Sequence, residues 1–291
     1  MTAERRAGPL GGPAGGTPGD TYRFRVGDFA CLAVNDGDVT YPATRFFAHA
    51  PAERVETELR AHGTDPERIP SPYTCLAIDT GGRWLLLDTG AGGHAPTTGN
   101  LPARLAAAGV DPARVDTVVV THGHPDHLGG NIAAGRSAFP GARYVICRDD
   151  WDHFVARGDP AQDRLAEIAR AQLLPLGDRL EAVAPDAEIA PGIRLVPAPG
   201  HTPGQVAVHL ASGSQELLYI SDAVLHELHL REPDWYPVYD LDRGAAGATK
   251  RRLFGWAVAD RLLVHAFHFP FPGLGHVRAR GAGWAWEPLE T

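Results

Sequence analysis

The segment Thr121–His127 combines three histidines and an aspartate within a few residues. It directly follows an apolar run that predicts a buried strand ending where the polar cluster begins. In a strand-to-loop turn, the side chains of His122 and His124 can project to the same side. If the chain then turns, the side chains of Asp126 and His127 can face a second position close to the first. Imidazole nitrogens and carboxylate oxygens suit zinc-like ions. The segment is therefore predicted to bind metal, rather than to be a histidine-rich surface loop.

Three more polar side chains are candidates further along the chain. His201 lies in a loop rich in proline and glycine, which lowers the entropic cost of holding its ring at a metal. Asp222 comes immediately after an apolar strand, where a buried charge is costly unless it is paired or bound to a cation. Near the C-terminus, His268 at a strand end competes with His265 inside the strand. His268 is preferred because the other candidates also lie at strand ends.

Seven candidate ligands are too many for one four-coordinate ion, which predicts two metals that share a carboxylate and a water. Zn²⁺ is the expected metal, with Mn, Co or Fe as alternatives. Asp222 is predicted to bridge the two ions. The remaining ligands divide into His122, His124 and His201 on one ion, and Asp126, His127 and His268 on the other.

Asp88 ends another predicted strand and is followed closely by glycines. We expect its carboxylate to accept a hydrogen bond from a ligand histidine or a loop amide, which would fix the orientation of the imidazole ring. An ordinary Asx turn is the alternative interpretation of this residue.

Composition restricts the class of protein. Of the 291 residues, 44% are hydrophobic and 21% are charged, and no apolar run is long enough to cross a membrane. The formal net charge of -8 argues against a nucleic-acid partner. Residues 1–20 are rich in glycine and proline and are predicted to be a disordered tail before a single domain over 21–291. Three widely spaced cysteines are predicted to be buried thiols, which fits a cytoplasmic protein.

Strand and helix patterns alternate in a way typical of α/β architecture. Residues 22–40 predict a hairpin whose turn is formed by residues 35–38. Helices are predicted at 51–62, 101–108 and 245–259, and strands at 117–120, 142–147, 193–196, 205–210, 216–220 and 262–266.

The HxHxDH motif at 122–127, a later Gly-His pair, the strand-end Asp222 and the C-terminal His268 together resemble the metallo-β-lactamase superfamily. The resemblance covers about residues 22–285. It implies an α/β (α+β) fold, a four-layer αββα sandwich of two mixed β-sheets flanked by helices, with a dinuclear site at one edge of the sheets. The ending HFPFPGLGH is similar, more narrowly, to the methyl parathion hydrolase branch, whose neighbours include N-acyl-homoserine lactonases.

One departure from that pattern concerns catalysis. The best-known lactonases place a tyrosine three residues after the bridging aspartate, where this chain has Leu225. A phenol that assists catalysis must therefore come from elsewhere, for example from Tyr236 or Tyr239. His226 is an alternative donor, and ordinary packing remains the simpler interpretation of all three side chains.

These features predict a dinuclear metal-dependent hydrolase that cleaves an ester-like bond by attack of a metal-bridging hydroxide. The bond would belong to a lactone, an aryl ester or an organophosphate triester. Asp126, as a ligand with a free oxygen facing the water, and Asp222, between the ions, are the predicted catalytic carboxylates. An apolar pocket for the substrate is expected to be lined by Phe46, Phe47, Trp151, Trp235, Tyr236 and Phe269.

Three other functions stay open. A glyoxalase-II-like thioesterase shares the motif, although such enzymes normally use basic residues, and no basic cluster adjoins the motifs in sequence. A persulfide dioxygenase would bind a single iron through two histidines and an aspartate. A scaffold with structural zinc is disfavoured, because such sites are closed and often rich in thiolates. A homodimer is a further expectation from the resemblance.

Overall fold

The structure is a computed structural model that describes residues 20–290. Of the predicted tail 1–20, only Asp20 lies within the described residues, and its carboxylate forms an ion pair with Arg104 at 2.8 Å. The first half contains the strands β1 (Thr21–Val26), β2 (Phe29–Tyr41), β3 (Ile69–Asp79), β4 (Trp84–Leu87), β5 (Val115–Val120), β6 (Ile132–Ala133), β7 (Arg136–Ser137), β8 (Arg143–Cys147) and β9 (Leu180–Val183).

Seven of these strands form one mixed sheet in the order β1-β2-β3-β4-β5-β8-β9, while β6 and β7 pair with each other. Strands β1 to β4 form an antiparallel meander. Strands β4, β5, β8 and β9 are parallel, since each crossover brings the chain back to the same end of the sheet. The carboxyl ends of β4 and β5 therefore lie side by side at one edge.

The second half supplies a second sheet. Its strands are antiparallel neighbours except β13 and β14, which pair in parallel because a long helical connection separates them. The ends of these two strands therefore also lie together. In chain order the strands are β10 (Glu188–Ala190), β11 (Ile193–Pro197), β12 (Val206–Ser212), β13 (Gln215–Tyr219), β14 (Leu263–His265), β15 (Leu274–Arg280) and β16 (Gly283–Pro288).

Several helices pack on the two sheets. The α-helices are α1 (Ala43–Phe46), α2 (Ala52–Ala61), α3 (Leu101–Ala107), α4 (Pro125–Leu128), α5 (Arg148–Trp151), α6 (Arg164–Leu173), α7 (Leu228–Arg231) and α8 (Arg243–Ala259). Helix α3 packs on β2, and α8 packs on β15. None of the helices in the described range 20–290 combines the length and the apolar character needed to cross a bilayer.

Most of the hydrophobic core lies at two interfaces, and a third, smaller cluster packs around Phe46 and Phe47. The larger cluster joins both sheets and contains Leu76 of β3 and Val208 of β12. A second cluster lies between the second sheet and α8 and contains Leu218 and Phe254. Burying one face of each sheet against the other, and the remaining face against helices, produces the layered architecture. The predicted fold of two mixed sheets flanked by helices is confirmed.

The predicted turn at 35–38 is wrong, although the hairpin itself exists. The tight turn lies at Gly27 and Asp28, between β1 and β2. Residues 35–38 instead form an irregularity within β2, where its register against β3 shifts. The reason is long-range, because the buried Asp36 carboxylate accepts hydrogen bonds from the backbone amides of Ala91, Gly99 and Leu101. A carboxylate with several amide donors holds this segment inside the sheet.

Candidate metal centre

A first cluster of four buried side chains lies where the ends of β5, β11 and β13 meet. It consists of His122, His124, His201 and Asp222, whose ligand atoms all lie within 4.8 Å of one another. His201 Nε2 is 2.9 Å from His124 Nδ1 and 3.2 Å from Asp222 Oδ2. His122 Nε2 lies 3.7 Å from the same oxygen. Three imidazoles and one carboxylate oxygen therefore face a common point.

A second cluster shares the same aspartate. Asp126, His127, Asp222 and His268 also have their ligand atoms within 4.8 Å of one another. His127 Nε2 lies 3.0 Å from Asp222 Oδ1, and His268 Nε2 lies 3.5 Å from Asp126 Oδ2. Because Asp222 turns one oxygen to each cluster, the structure brings all seven residues together in the partition that the sequence predicted.

His265 lies outside both clusters. Its ring stacks on Tyr219 at 5.1 Å with an interplanar angle of 7°. Burial lowers the pKa of His265 to about 3, so this ring is neutral at physiological pH. The choice of His268 over His265 agrees with this placement.

Buried ligand atoms that lack a hydrogen bond indicate whether the two clusters are suited to bind cations. His122 Nε2, His127 Nε2 and Asp222 Oδ1 are buried and form no hydrogen bond among the described residues. The last two atoms are 3.0 Å apart, but their contact does not have hydrogen-bond geometry. Leaving such an atom unsatisfied costs about 1–3 kcal/mol, and more when the group is charged. A divalent cation in each cluster would accept these lone pairs at once. The donors are nitrogen and oxygen only, a set that suits Zn²⁺ and also Mn, Co or Fe.

Burial and neighbouring charges set the protonation of the ligands. Burial and the neighbouring imidazoles hold the pKa values of His122 and His124 well below the usual range, so these rings keep a free lone pair. Burial opposes charge on His201, but hydrogen bonds to Asp222 and Asp240 outweigh it and raise the pKa of His201 to about 9. Despite its burial, the pKa of Asp222 is held well below its usual range, first by the charge of His127.

Asp88 occupies the centre of a buried hydrogen-bond network beneath the second cluster. Its backbone adopts a left-handed conformation (φ 61°), which turns the carboxylate back toward the end of β5. Oδ1 accepts from the Thr121 amide at 2.8 Å. Oδ2 accepts from the Tyr219 hydroxyl and lies 2.8 Å from His127 Nδ1. Asp88 thus engages Nδ1 of a candidate ligand and leaves Nε2 facing the cluster, as expected for a carboxylate that orients a ligand ring.

Two further orienting residues were missed by the sequence analysis. The carboxylate of Asp240 lies 2.8 Å from His201 Nδ1, and the Ser71 hydroxyl lies 2.9 Å from His268 Nδ1. Both contacts leave Nε2 of the histidine facing the clusters. Neither residue lies near a ligand in sequence, so only tertiary structure reveals them.

A third missed residue, Asp150, fixes two ligand loops relative to each other. Its buried carboxylate accepts hydrogen bonds from the Gly123 amide at 2.8 Å and the Gly204 amide at 2.6 Å. The Thr202 hydroxyl donates a third at 3.0 Å. Burial raises the pKa of Asp150 to about 6. The loop that carries His122 and the loop that carries His201 are therefore held by one side chain.

A cavity of about 720 Å³ opens onto both clusters. Its walls are mostly apolar and include Phe46, Ile168 and Leu225, with Tyr41, Tyr73 and Tyr239 as phenols. Two arginine side chains, Arg45 and Arg164, also line the cavity and come from segments far from the motifs. No basic cluster lies beside the motifs in sequence, so these two basic side chains reach the cavity only through the fold.

Of the six aromatic side chains predicted to line a substrate pocket, Phe46 lines this cavity and the other five do not. Phe47 and Trp235 pack edge to face in a cluster beneath the wall, and Phe269 packs on Trp286. Trp151 packs against the main core, and the Tyr236 ring lies under the Lys250 ammonium at 4.3 Å. Large rings gain more by packing on each other than by facing a cavity, which explains their placement.

Of the candidate proton donors, only Tyr239 lines the cavity, and its hydroxyl accepts a hydrogen bond from Arg45 Nε at 3.1 Å. His226 packs edge to face on Phe47, and its Nδ1 accepts a hydrogen bond from the Leu228 amide. Tyr236 and His226 therefore have packing or local roles in this structure.

Comparison with known proteins identifies relatives in sequence. The family model described as the metallo-beta-lactamase superfamily matches residues 68–256. A hydroxyacylglutathione hydrolase of Stenotrophomonas maltophilia (strain R551-3) is 28% identical over 128 residues, which are 44% of this chain and 41% of that protein. The alignment thus spans less than half of the length of this curated relative.

Several solved structures share the fold. The hydrolase AbOPH of the beta-lactamase superfamily superposes with a TM-score of 0.87 at 24% identity, covering 95% of this chain and 99% of that chain. AidC, a dizinc quorum-quenching lactonase in complex with the product N-hexanoyl-L-homoserine, gives a TM-score of 0.85 at 24% identity, with 94% and 98% covered. A probable metal-dependent hydrolase from Staphylococcus aureus gives 0.79 at 20% identity, with 92% and 99% covered.

The matched family segment takes in most of the site. It contains the HxHxDH motif, His201 and Asp222, and the second of the two sheets brings His268 to the same edge. The similar proteins in sequence and in fold are enzymes. With more than half of its length matched, the chain belongs to the metallo-beta-lactamase superfamily, as its motifs predicted.

Proposed function

We propose that the protein is a dinuclear metal-dependent hydrolase that cleaves an ester-like bond in a small, mainly apolar molecule, such as a lactone, an aryl ester or an organophosphate triester. The observation that carries this proposal is the pair of ligand clusters that share Asp222 and open onto one cavity. Two cations held there would lower the pKa of a water molecule and polarise the bond that is cleaved.

The side chains of the site have separate tasks in this proposal. Asp222 belongs to both clusters and would help to hold a cation in each of them. Asp126 is partly exposed, with 21% of its side chain accessible, and it lines the cavity. A carboxylate oxygen that faces the cavity can accept the proton of the attacking water. Asp88, Asp240 and Ser71 keep three histidine rings in place.

The cavity walls support an apolar ester or lactone as substrate. Phe46, Ile168 and Leu225 offer an acyl chain or an aryl group an apolar surface. The similarity in fold to AidC, a lactonase, agrees with this substrate class. Arg45 and Arg164 lie on the same cavity and can contact a carbonyl or carboxylate at the polar end of the substrate.

A thioesterase acting on glutathione thioesters is the second candidate. The two arginines of the cavity favour it, since they can bind the carboxylates of glutathione. The hydroxyacylglutathione hydrolase relative also supports it, over less than half of its length. The mainly apolar surface around the clusters argues against this second candidate, because glutathione is a polar, charged molecule.

A hydrolysis screen on protein of known metal content tests the proposal. The panel contains lactones, aryl esters, phosphotriesters and glutathione thioesters, each assayed with the zinc-loaded and the chelator-treated protein. We expect metal-dependent turnover, with kcat/KM for a lactone or an aryl ester at least tenfold above that for any thioester. A higher thioester rate would replace the proposal with the second candidate. A single iron per chain with oxygen consumption would instead indicate a dioxygenase.

A further inference from the structure

Two phenols meet on the cavity wall beside the second cluster. The hydroxyl oxygens of Tyr41 and Tyr73 are 2.5 Å apart. Both rings line the cavity that Asp126 and His268 also line. Tyr73 packs edge to face on the His268 ring, with centroids 5.5 Å apart. The pair thus stands next to the position where a bound ester would be cleaved.

The surroundings of the two hydroxyls determine which one donates to the other. Tyr73 is only 3% exposed, and within residues 20–290 its hydroxyl contacts no hydrogen-bond acceptor other than Tyr41. Since a buried hydroxyl proton needs an acceptor, Tyr73 donates to the Tyr41 oxygen. Tyr41 is half-buried, and its own proton is then free to point into the cavity. A phenol that already accepts a hydrogen bond is also a stronger donor.

A neutral phenol carries one O–H donor, so each hydroxyl of the pair can donate one hydrogen bond.

The other polar groups of this wall differ from Tyr41 in their contacts. The Ser71 hydroxyl contacts His268 Nδ1, and Leu225 contributes only an aliphatic surface. Tyr239 also lines the cavity and accepts from Arg45, so its proton, like that of Tyr41, has no acceptor among the described residues. Tyr41 is distinguished by its hydrogen bond with Tyr73, whose ring packs on the candidate ligand His268.

We propose that Tyr41 is a catalytic hydrogen-bond donor to the leaving-group oxygen of the substrate, and that Tyr73 is a positioning residue that acts through Tyr41. This inference rests on the proposed hydrolysis of an oxygen ester or lactone. It also adds a preference to that function, because a donor at this place favours substrates whose leaving group is a poorly stabilised alkoxide.

The reaction balances with water as the only co-reactant. The oxygen of water forms a bond to the acyl carbon, and the bond from that carbon to the alcohol oxygen breaks with its electron pair staying on the oxygen. Tyr41 donates a hydrogen bond to this oxygen while negative charge builds up on it. The proton that completes the alcohol is the one released by the attacking water, so Tyr41 is unchanged at the end.

The leaving group is the variable that tests Tyr41. We expect Tyr41→Phe to lower kcat on a lactone or alkyl ester by about 100-fold, the usual effect of losing one such donor. On the 4-nitrophenyl ester of the same acyl chain, the change should be less than about threefold, because nitrophenolate leaves without help. Equal losses on both substrates, or no loss on either, would overturn the assignment.

Tyr73 is tested through its coupling to Tyr41. Tyr73→Phe removes the hydrogen bond that orients Tyr41, so we expect a loss of about tenfold on the lactone with the same dependence on the leaving group. The double variant should be no slower than Tyr41→Phe alone, since Tyr73 has no effect without its partner. Losses that multiply in the double variant would show that Tyr73 does not act through Tyr41.

Tyr144→Phe is the matched control. Tyr144 is a buried phenol whose hydroxyl contacts the Ser137 hydroxyl at 2.8 Å, away from the cavity. Its loss should leave the rates on both substrates unchanged, and thermal denaturation of all variants separates stability from rate. A wild-type protein that cleaves no oxygen ester would refute the proposed function and the role of Tyr41 together. A wild type that cleaves lactones at the same rate as Tyr41→Phe would refute the role of Tyr41 alone.

Discussion

Three candidate ligand rings, His127, His201 and His268, are useful only if their Nε2 atoms stay directed at the clusters. Asp88, Asp240 and Ser71 each contact Nδ1 of one ring and hold its orientation. The two carboxylates can only accept, so they also place a proton on Nδ1 of His127 and of His201. The left-handed backbone at Asp88 (φ 61°) and at Ser221 (φ 46°) stores strain close to the site. Each conformation is stabilised by buried contacts to Thr121.

Replacing Asp240 tests this orienting role. We expect Asp240→Ala to weaken metal binding by about 10- to 100-fold, because His201 loses the acceptor for its Nδ1 proton. Competition with a chromophoric chelator measures the affinity. Asp234→Ala is the control, because Asp234 is an exposed carboxylate of the same loop that pairs with Arg251. An unchanged affinity in Asp240→Ala would show that His201 is oriented by other contacts.

Protonation of His201 makes metal binding depend on pH. Its pKa of about 9 means that the metal-free site carries a proton on this ring at pH 7, and a cation must displace that proton. The apparent affinity should therefore rise with pH, by about tenfold per unit for each displaced proton, and level off above the pKa. Calorimetry in two buffers of different ionisation enthalpy should detect proton release at pH 7. Affinity that is constant between pH 6.5 and 9 would contradict this picture.

Segments that directly follow strands carry every candidate ligand, so the relation between these segments decides the geometry. Parallel pairing of β4 with β5 and of β13 with β14 brings their carboxyl ends to one edge. Asp150 then joins the loop after β5 to the loop after β11. A side chain that satisfies two backbone amides and a hydroxyl is a strong constraint on both loops.

Asp150→Ala tests that constraint. We expect the free energy of unfolding to fall by about 2–4 kcal/mol, since buried amides lose a charged acceptor. Metal binding in the first cluster should weaken as well, because the loops that carry His122 and His201 are no longer held together. Chemical denaturation and metal titration check the two effects. Asp149→Ala, which removes the exposed neighbouring carboxylate, should change neither.

Local sequence patterns predicted most elements, and long-range contacts explain the failures. Helix α2 follows the predicted 51–62, with Val55 and Leu59 buried as their spacing requires. The turn at 35–38 was predicted incorrectly because turn-forming residues there serve a buried carboxylate network instead. Strands β15 and β16 were not predicted, because the arginines of β15 and the exposed edge obscure an apolar alternation.

For the whole molecule, the grouping of the candidate ligands could be predicted from sequence and the substrate cavity could not. Each candidate ligand follows a strand in an identifiable motif, so the fold had only to bring these strand ends together. The cavity depends on which face each aromatic ring takes after packing. Phe46 faces it whereas Phe47, its neighbour in sequence, packs on Trp235. The placement of Arg45 and Arg164, which lie far apart in sequence, on one cavity is likewise a property of the assembled fold.

The assembled site also connects the two halves of the chain. The first sheet supplies four of the seven candidate ligands, and the second supplies His201, Asp222 and His268. A metal that binds only when both halves are in place stabilises the folded state by mass action. The prediction of one domain over residues 21–291 stays a prediction, and it implies that unfolding should occur in a single transition that shifts upward when metal is added.

The central claim is that two cations sharing Asp222 are required for hydrolysis. Stepwise addition of zinc to the metal-free protein, with hydrolysis of a lactone followed at each step, tests it most directly. We expect turnover to reach its maximum at two ions per chain, and Asp222→Ala to remain inactive at every metal concentration. Full turnover at one ion per chain, or hydrolysis by Asp222→Ala with both ions bound, would contradict the account.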